Sequence, residues 1–91
     1  MDQKSQLREK LVQLHDELAK AESLDEGTIA VLKDLHMDIG ELLEKPEEQV
    51  DAHYAPLMAR LRTNVTHFES THPRVTSAIE RAIDALVQMG V

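Results

Sequence analysis

Residues 7–26, LREKLVQLHDELAKAESLDE, decide how this chain folds. Leu7, Leu11, Leu14 and Leu18 follow one another at helical intervals, and Ala21 extends the series. Two apolar positions in each seven make a narrow stripe, which suits a helix lying along a partner helix; a strand would alternate instead. Lys20 falls near the end of the stripe, where a cation complements the negative pole of the helix dipole. Ser23-Leu24-Asp25-Glu26 then has capping-box spacing. The Ser23 hydroxyl can accept from the Glu26 backbone N–H while the Glu26 carboxylate reaches back to the Ser23 N–H. So short a joint predicts that the next helix folds back on the first as an antiparallel hairpin.

The same periodicity continues outward. Thr28, Val31, Leu32, Leu35, Ile39, Leu42 and Leu43 form a wider stripe, so the second helix is expected to face more neighbours than the first. It ends at Lys45-Pro46, because the residue before proline is pushed out of the α region. Glu47 to Asp51 reads as a polar connection or a single helical turn, and as a candidate mobile segment. A third helix turns Tyr54, Leu57, Leu61, Val65 and Phe68 inward. Its start is placed at His53 so that Pro56 falls in the first turn, where a missing N–H costs little. Thr71-His72-Pro73 breaks the chain, and Pro73 suits the first position of a fourth helix bearing Val75, Ile79, Ala82, Ile83 and Leu86. Gly90 follows where a left-handed cap belongs. The predicted fold class is all-α: one domain over residues 1–91, with helices at about 3–22, 24–44, 53–70 and 73–89 paired as two antiparallel hairpins in a compact bundle.

Composition bounds the rest. The 91 residues are 42% apolar, almost wholly aliphatic, with one Phe and one Tyr. A chain this short buries only about 60–65% of the surface it exposes when unfolded. A monomer built from one layer of aliphatic helices is therefore marginal. A homo-oligomer is expected, with helix 4 or the seam of helices 1 and 2 against a symmetry mate. No Cys is present, which removes disulfides, thiolate nucleophiles and cysteine-based metal sites. No apolar run approaches the ~18 residues of a membrane span. Met1 to Gln6 lacks the basic start and apolar run of a signal peptide, so the expected location is cytoplasmic. The net charge of −7 is uneven: residues 1–51 hold 14 acids and 6 bases, residues 52–91 hold 3 acids and 4 bases. An acidic front half repels phosphate backbones, and two aromatics make no stacking platform, so no nucleic-acid partner is expected.

The candidate sites are few. His15, His36, His53 and His67 flank the apolar stripes, where an imidazole can lay its body on the core and keep a nitrogen wet; the alternative is metal ligation. Glu69 and His72 have the Glu-x-x-His spacing of di-iron bundles, and with His67 they are the candidate metal residues. The motif occurs once and runs into Pro73, whereas a di-metal bundle needs it on two helices. No metal residue, cofactor site or catalytic residue is therefore assigned. The neighbouring acids Asp16-Glu17, Asp25-Glu26 and Glu47-Glu48 point to different sides of a helix rather than into one dry cleft. Ser5, Ser23, Ser70 and Ser77 lack a nucleophile-elbow context, and Gly27, Gly40 and Gly90 are too isolated for a phosphate-cradling loop. Gly40 either admits a close neighbour or is a weak point of its helix; Met37, Met58 and Met89 read as core fillers. A shift of 21 residues lays Leu14, His15 and Leu18 on Leu35, His36 and Ile39, as any two heptad stripes would align.

Two stretches carry a family resemblance. One is Phe68-Glu69-Ser70-Thr71-His72-Pro73-Arg74-Val75-Thr76, followed by Ile79, Ile83-Asp84-Ala85-Leu86 and Met89-Gly90-Val91. The other is Leu11-Val12-Gln13-Leu14-His15-Asp16-Glu17-Leu18 with Ser23 to Glu26. In these the chain resembles the domain-of-unknown-function family numbered 4404. The resemblance implies a small helical bacterial protein and brings no activity, cofactor or catalytic residue with it.

No motif in the chain names an activity. The expectation is a non-catalytic structural or interaction protein that works through self-association or helix-face binding of a protein partner. The alternatives are an acidic module, Asp2 to Asp51, that docks on or mimics a ligand for a basic surface, and a metal-binding helical protein using His67, Glu69 and His72.

Overall fold

The computed structural model describes residues 3–46 and 51–91. Four α-helices follow in order: α1 Gln3–Lys20, α2 Glu26–Glu44, α3 Asp51–Phe68 and α4 Pro73–Gln88, with no strand among the described residues. The radius of gyration is 12.5 Å, against about 12 Å for a compact chain of this length. The expected polar segment 47–50 lies outside the described residues.

The hairpin register is set by two cross-helix pairs. The Arg8 guanidinium donates to the Leu43 carbonyl at 2.8 Å, and the rings of His15 and His36 stack with centroids 3.9 Å apart. Seven residues onward in α1 match seven residues back in α2, so one antiparallel register runs the length of the pair. The α3–α4 turn returns to the same end of the bundle as the α1–α2 turn, since His72 donates to the Glu22 carbonyl at 2.9 Å. The helices therefore run up, down, up, down. The core lies between the stripes, with Leu14, Ile39, Leu61, Phe68, Ile79 and Leu86 fully buried.

Three details differ from the expected outline. The backbone approaches closely between α1 and α4, α3 and α4, and α1 and α2, but not comparably between α2 and α3. So α1, not α2, has the more numerous close neighbours. Small Ala78 and Ala82 let α4 settle close to its partners, whereas α2 carries Leu35 and Ile39 and is linked to α3 largely through side chains. One such link is the exposed ion pair of Arg60 with Asp38. Second, α3 begins at Asp51, two residues before the expected start, which places Pro56 inside the helix. Pro56 is exposed there and forfeits one N–H bond, to the Ala52 carbonyl. Third, Met37 is 60% exposed, whereas Met58 is buried as a core filler should be.

The ends follow their sequence signals. Lys45 is extended at ψ 148° ahead of Pro46. Pro73 opens α4, with His72 before it making no side-chain cap. At the other end of α4, Gly90 takes φ +87°, Val91 N–H bonds to the Leu86 carbonyl and Gly90 N–H to the Val87 carbonyl. These are the two bonds of a Schellman cap. The Thr76 hydroxyl, buried in the first turn and a half of α4, has no hydrogen-bond partner among the described residues.

Candidate functional site

Two features meet at the turn end of the bundle. The first is polar. Asp25, not Ser23, caps α2: its Oδ2 accepts from the Thr28 backbone N–H at 2.9 Å and from the Thr28 hydroxyl at 2.7 Å. Ser23 has a smaller role, accepting the Asp25 N–H at 3.1 Å. The expected capping box is thus displaced by two residues. Asp25 and Thr28 have the same three-residue spacing as Ser23 and Glu26, and a carboxylate at the positive end of a helix outcompetes a hydroxyl. The Thr28 hydroxyl first, and then its backbone N–H, hold the Asp25 carboxyl below its usual value of 3.8 against desolvation, with the charge of His67 the smallest contribution.

Thr28 is buried, and its Oγ1 lies 3.1 Å from Nε2 of His67 on α3. Because the single hydroxyl proton is committed to Asp25, Oγ1 has only lone pairs for the imidazole, so His67 is assigned as the donor through Nε2–H. The chain of donors therefore runs His67 to Thr28 to Asp25. That direction is the reverse of a nucleophile arrangement, in which the imidazole takes the hydroxyl proton. His72 bonds on both sides: Thr71 donates to its Nδ1 at 2.9 Å and its Nε2–H donates to Glu22. Both imidazoles stand edge-on to the buried ring of Phe68, with centroids 5.1 and 5.5 Å away. Two histidines from the second hairpin thus fasten the turn of the first.

The second feature is apolar. The outer side of the α1–α2 hairpin opens into a groove of about 1060 Å³, floored by Leu18 and Leu32 and bordered by Ala19, Ala21 and Ile29, with Met37 toward one end. Leu24, in the turn, is part of its rim and is wholly exposed at 104%. Glu22 and Lys33 are its carboxylate and ammonium lining residues. Further along the same seam, the His15 ring packs over Gly40: a Cβ at that position would sit 3.4 Å from His15 Nε2. Gly40 therefore admits a side chain, not a second backbone.

The sequence candidates are distributed accordingly. His15 and His36 are half-buried and stack on each other, while His53 is exposed on α3. His67 and His72 serve as hydrogen-bonding fasteners, and Glu69 is exposed. The structure does not bring His67, Glu69 and His72 to a common point: among the described residues no group of three His, Cys, Asp or Glu could hold a metal ion. Sequence reasoning missed the Asp25–Thr28–His67 chain, whose local half was legible as Asp-x-x-Thr. On α4 the stripe is spent on α1 and α3, leaving Val87 as its exposed large apolar residue, with Val91 exposed just past its end; the surface left open belongs to the first hairpin.

No helix among the described residues is long and apolar enough to cross a membrane. No curated protein and no solved structure matches the chain. The family described as Domain of unknown function (DUF4404) matches residues 7–91, nearly the whole length, and the chain belongs to that family.

Proposed function

We propose that this protein is a non-catalytic helical module that self-associates through the outer face of its first hairpin. The observation that supports this reading is the fully exposed Leu24 beside an open groove floored by Leu18 and Leu32. A large apolar side chain fully in water next to a mostly apolar hollow offers a partner one contiguous patch to cover. The size of the chain favours the same reading, because domains this small gain stability by assembling. The direction of the hydrogen bonds at Thr28 favours a structural role for the polar cluster: its hydroxyl proton is held by a carboxylate and is not available to a base.

Light scattering from about micromolar to near-millimolar protein tests the reading. A dimer or higher mass within that range is the expected result. A monomer throughout would overturn self-association and turn the same groove toward a heterologous helix.

A further inference from the structure

The groove and the residue that would fill it lie on the same surface. A two-fold interface requires this, since each copy must present both the projection and the hollow. We propose that the occupant of the α1–α2 groove is the Leu24 turn of a second copy, docked about a two-fold axis that sets the two hairpins antiparallel. This rests on the self-association reading and goes beyond it by fixing what fills the groove and in which register.

Shape supplies the first argument. Leu24 has its whole side chain in water, and the groove beside it has Ala19 and Ala21 along the α1 edge, where larger residues would close it. The projection is also held in place before association. His72 fastens the Glu22 carbonyl, and Ser23 accepts the Asp25 N–H, so the residues on either side of Leu24 are tied down. A preformed projection loses less conformational freedom on binding.

Charge supplies the second. Glu22 lies at the turn, while Lys33 lies seven residues into α2 from Glu26, about 10 Å along the axis at 1.5 Å per residue. Among the described residues neither side chain pairs with another charge. A two-fold rotation exchanges the two ends, so Glu22 of each copy falls toward Lys33 of the other, twice. A parallel placement would set like against like. His36 lies nearly one helical turn beyond Lys33 in the same groove.

The test is sedimentation equilibrium on the full chain and on Leu24→Glu, Glu22→Lys, Lys33→Glu and the double variant Glu22→Lys/Lys33→Glu, with circular dichroism to establish that each is folded. Because Leu24 is fully exposed, Leu24→Glu leaves the monomer fold intact. The expected result is a dimer whose Kd rises about a hundredfold or more in Leu24→Glu, since two leucines are lost per dimer. Each single charge reversal also weakens it, and the double variant regains most of the loss. A dimer indifferent to Leu24→Glu would overturn this interface while leaving self-association standing. Weakening by both single reversals without recovery in the double variant would overturn the antiparallel register. A wild-type monomer near millimolar concentration would overturn both the interface and the reading beneath it.

Discussion

At the scale of single residues, the start of α2 is governed by one carboxylate. Asp25 accepts two bonds from Thr28, one from the backbone and one from the hydroxyl, and both favour its charged form. Its folded-state pKa lies below the usual 3.8, so its contribution to stability is present above that value and is lost as pH falls through it toward the folded value. Asp25→Ala is expected to lower the melting temperature at pH 7 clearly more than Ser23→Ala does. The difference between Asp25→Ala and wild type narrows below pH 3.8. Circular-dichroism melts at pH 7 and pH 3 check both statements; a more damaging Ser23→Ala would restore the capping-box assignment. Sequence inspection finds two adequate caps here, Ser23 and Asp25, and only the path of the chain chooses between them.

At the scale of the helix, two residues work against regular structure. Gly40 sits inside α2, where glycine costs about 1 kcal/mol relative to alanine. A Cβ there meets His15 at 3.4 Å, an ordinary contact, so the helix-propensity gain survives. Gly40→Ala is expected to stabilise the protein by about 0.5–1 kcal/mol in urea unfolding; a loss would mean that the histidine stack has no slack. Pro56 lies inside α3 on its exposed side and leaves the Ala52 carbonyl without its helical donor. Pro56→Ala restores that bond and is expected to add about 1–3 kcal/mol. Amide exchange over residues 51–61 should slow with it, and unchanged exchange would show that the first turns of α3 fray whichever residue is present. The periodicity of the apolar residues made all four helices legible. Their boundaries were less so, because α3 tolerates a proline that local rules place at its start.

At the scale of the whole molecule, stability rests on a thin aliphatic core. Unfolding free energies run at about 0.05–0.15 kcal/mol per residue, so a domain of this length has little in reserve. Ile79, fully buried on α4 between its neighbours, should cost about 2–5 kcal/mol when cut to alanine. Exposed Val87 on the same helix should cost within about 0.5 kcal/mol. Urea midpoints for Ile79→Ala and Val87→Ala give the comparison, and equal effects would contradict the orientation of α4. The seam between α2 and α3 is where the bundle is most loosely joined. Arg60 and Asp38 pair across it in water, and such exposed pairs contribute only about 0.2–1 kcal/mol.

The order of residues alone specifies four helices in two hairpins, because apolar spacing, prolines and the closing glycine act within a few residues of where they stand. It also determined the absence of cysteine chemistry and the small scale of the core. Tertiary structure decided which faces those helices share. His67 and Thr28 are 39 residues apart, and His72 and Glu22 are 50. No local periodicity reports contacts at that separation. Nor does the stripe of α4 reveal from its own spacing that α1 and α3 consume it. Which surface remains open is a property of the packed bundle, since a residue is exposed only when no other element has covered it.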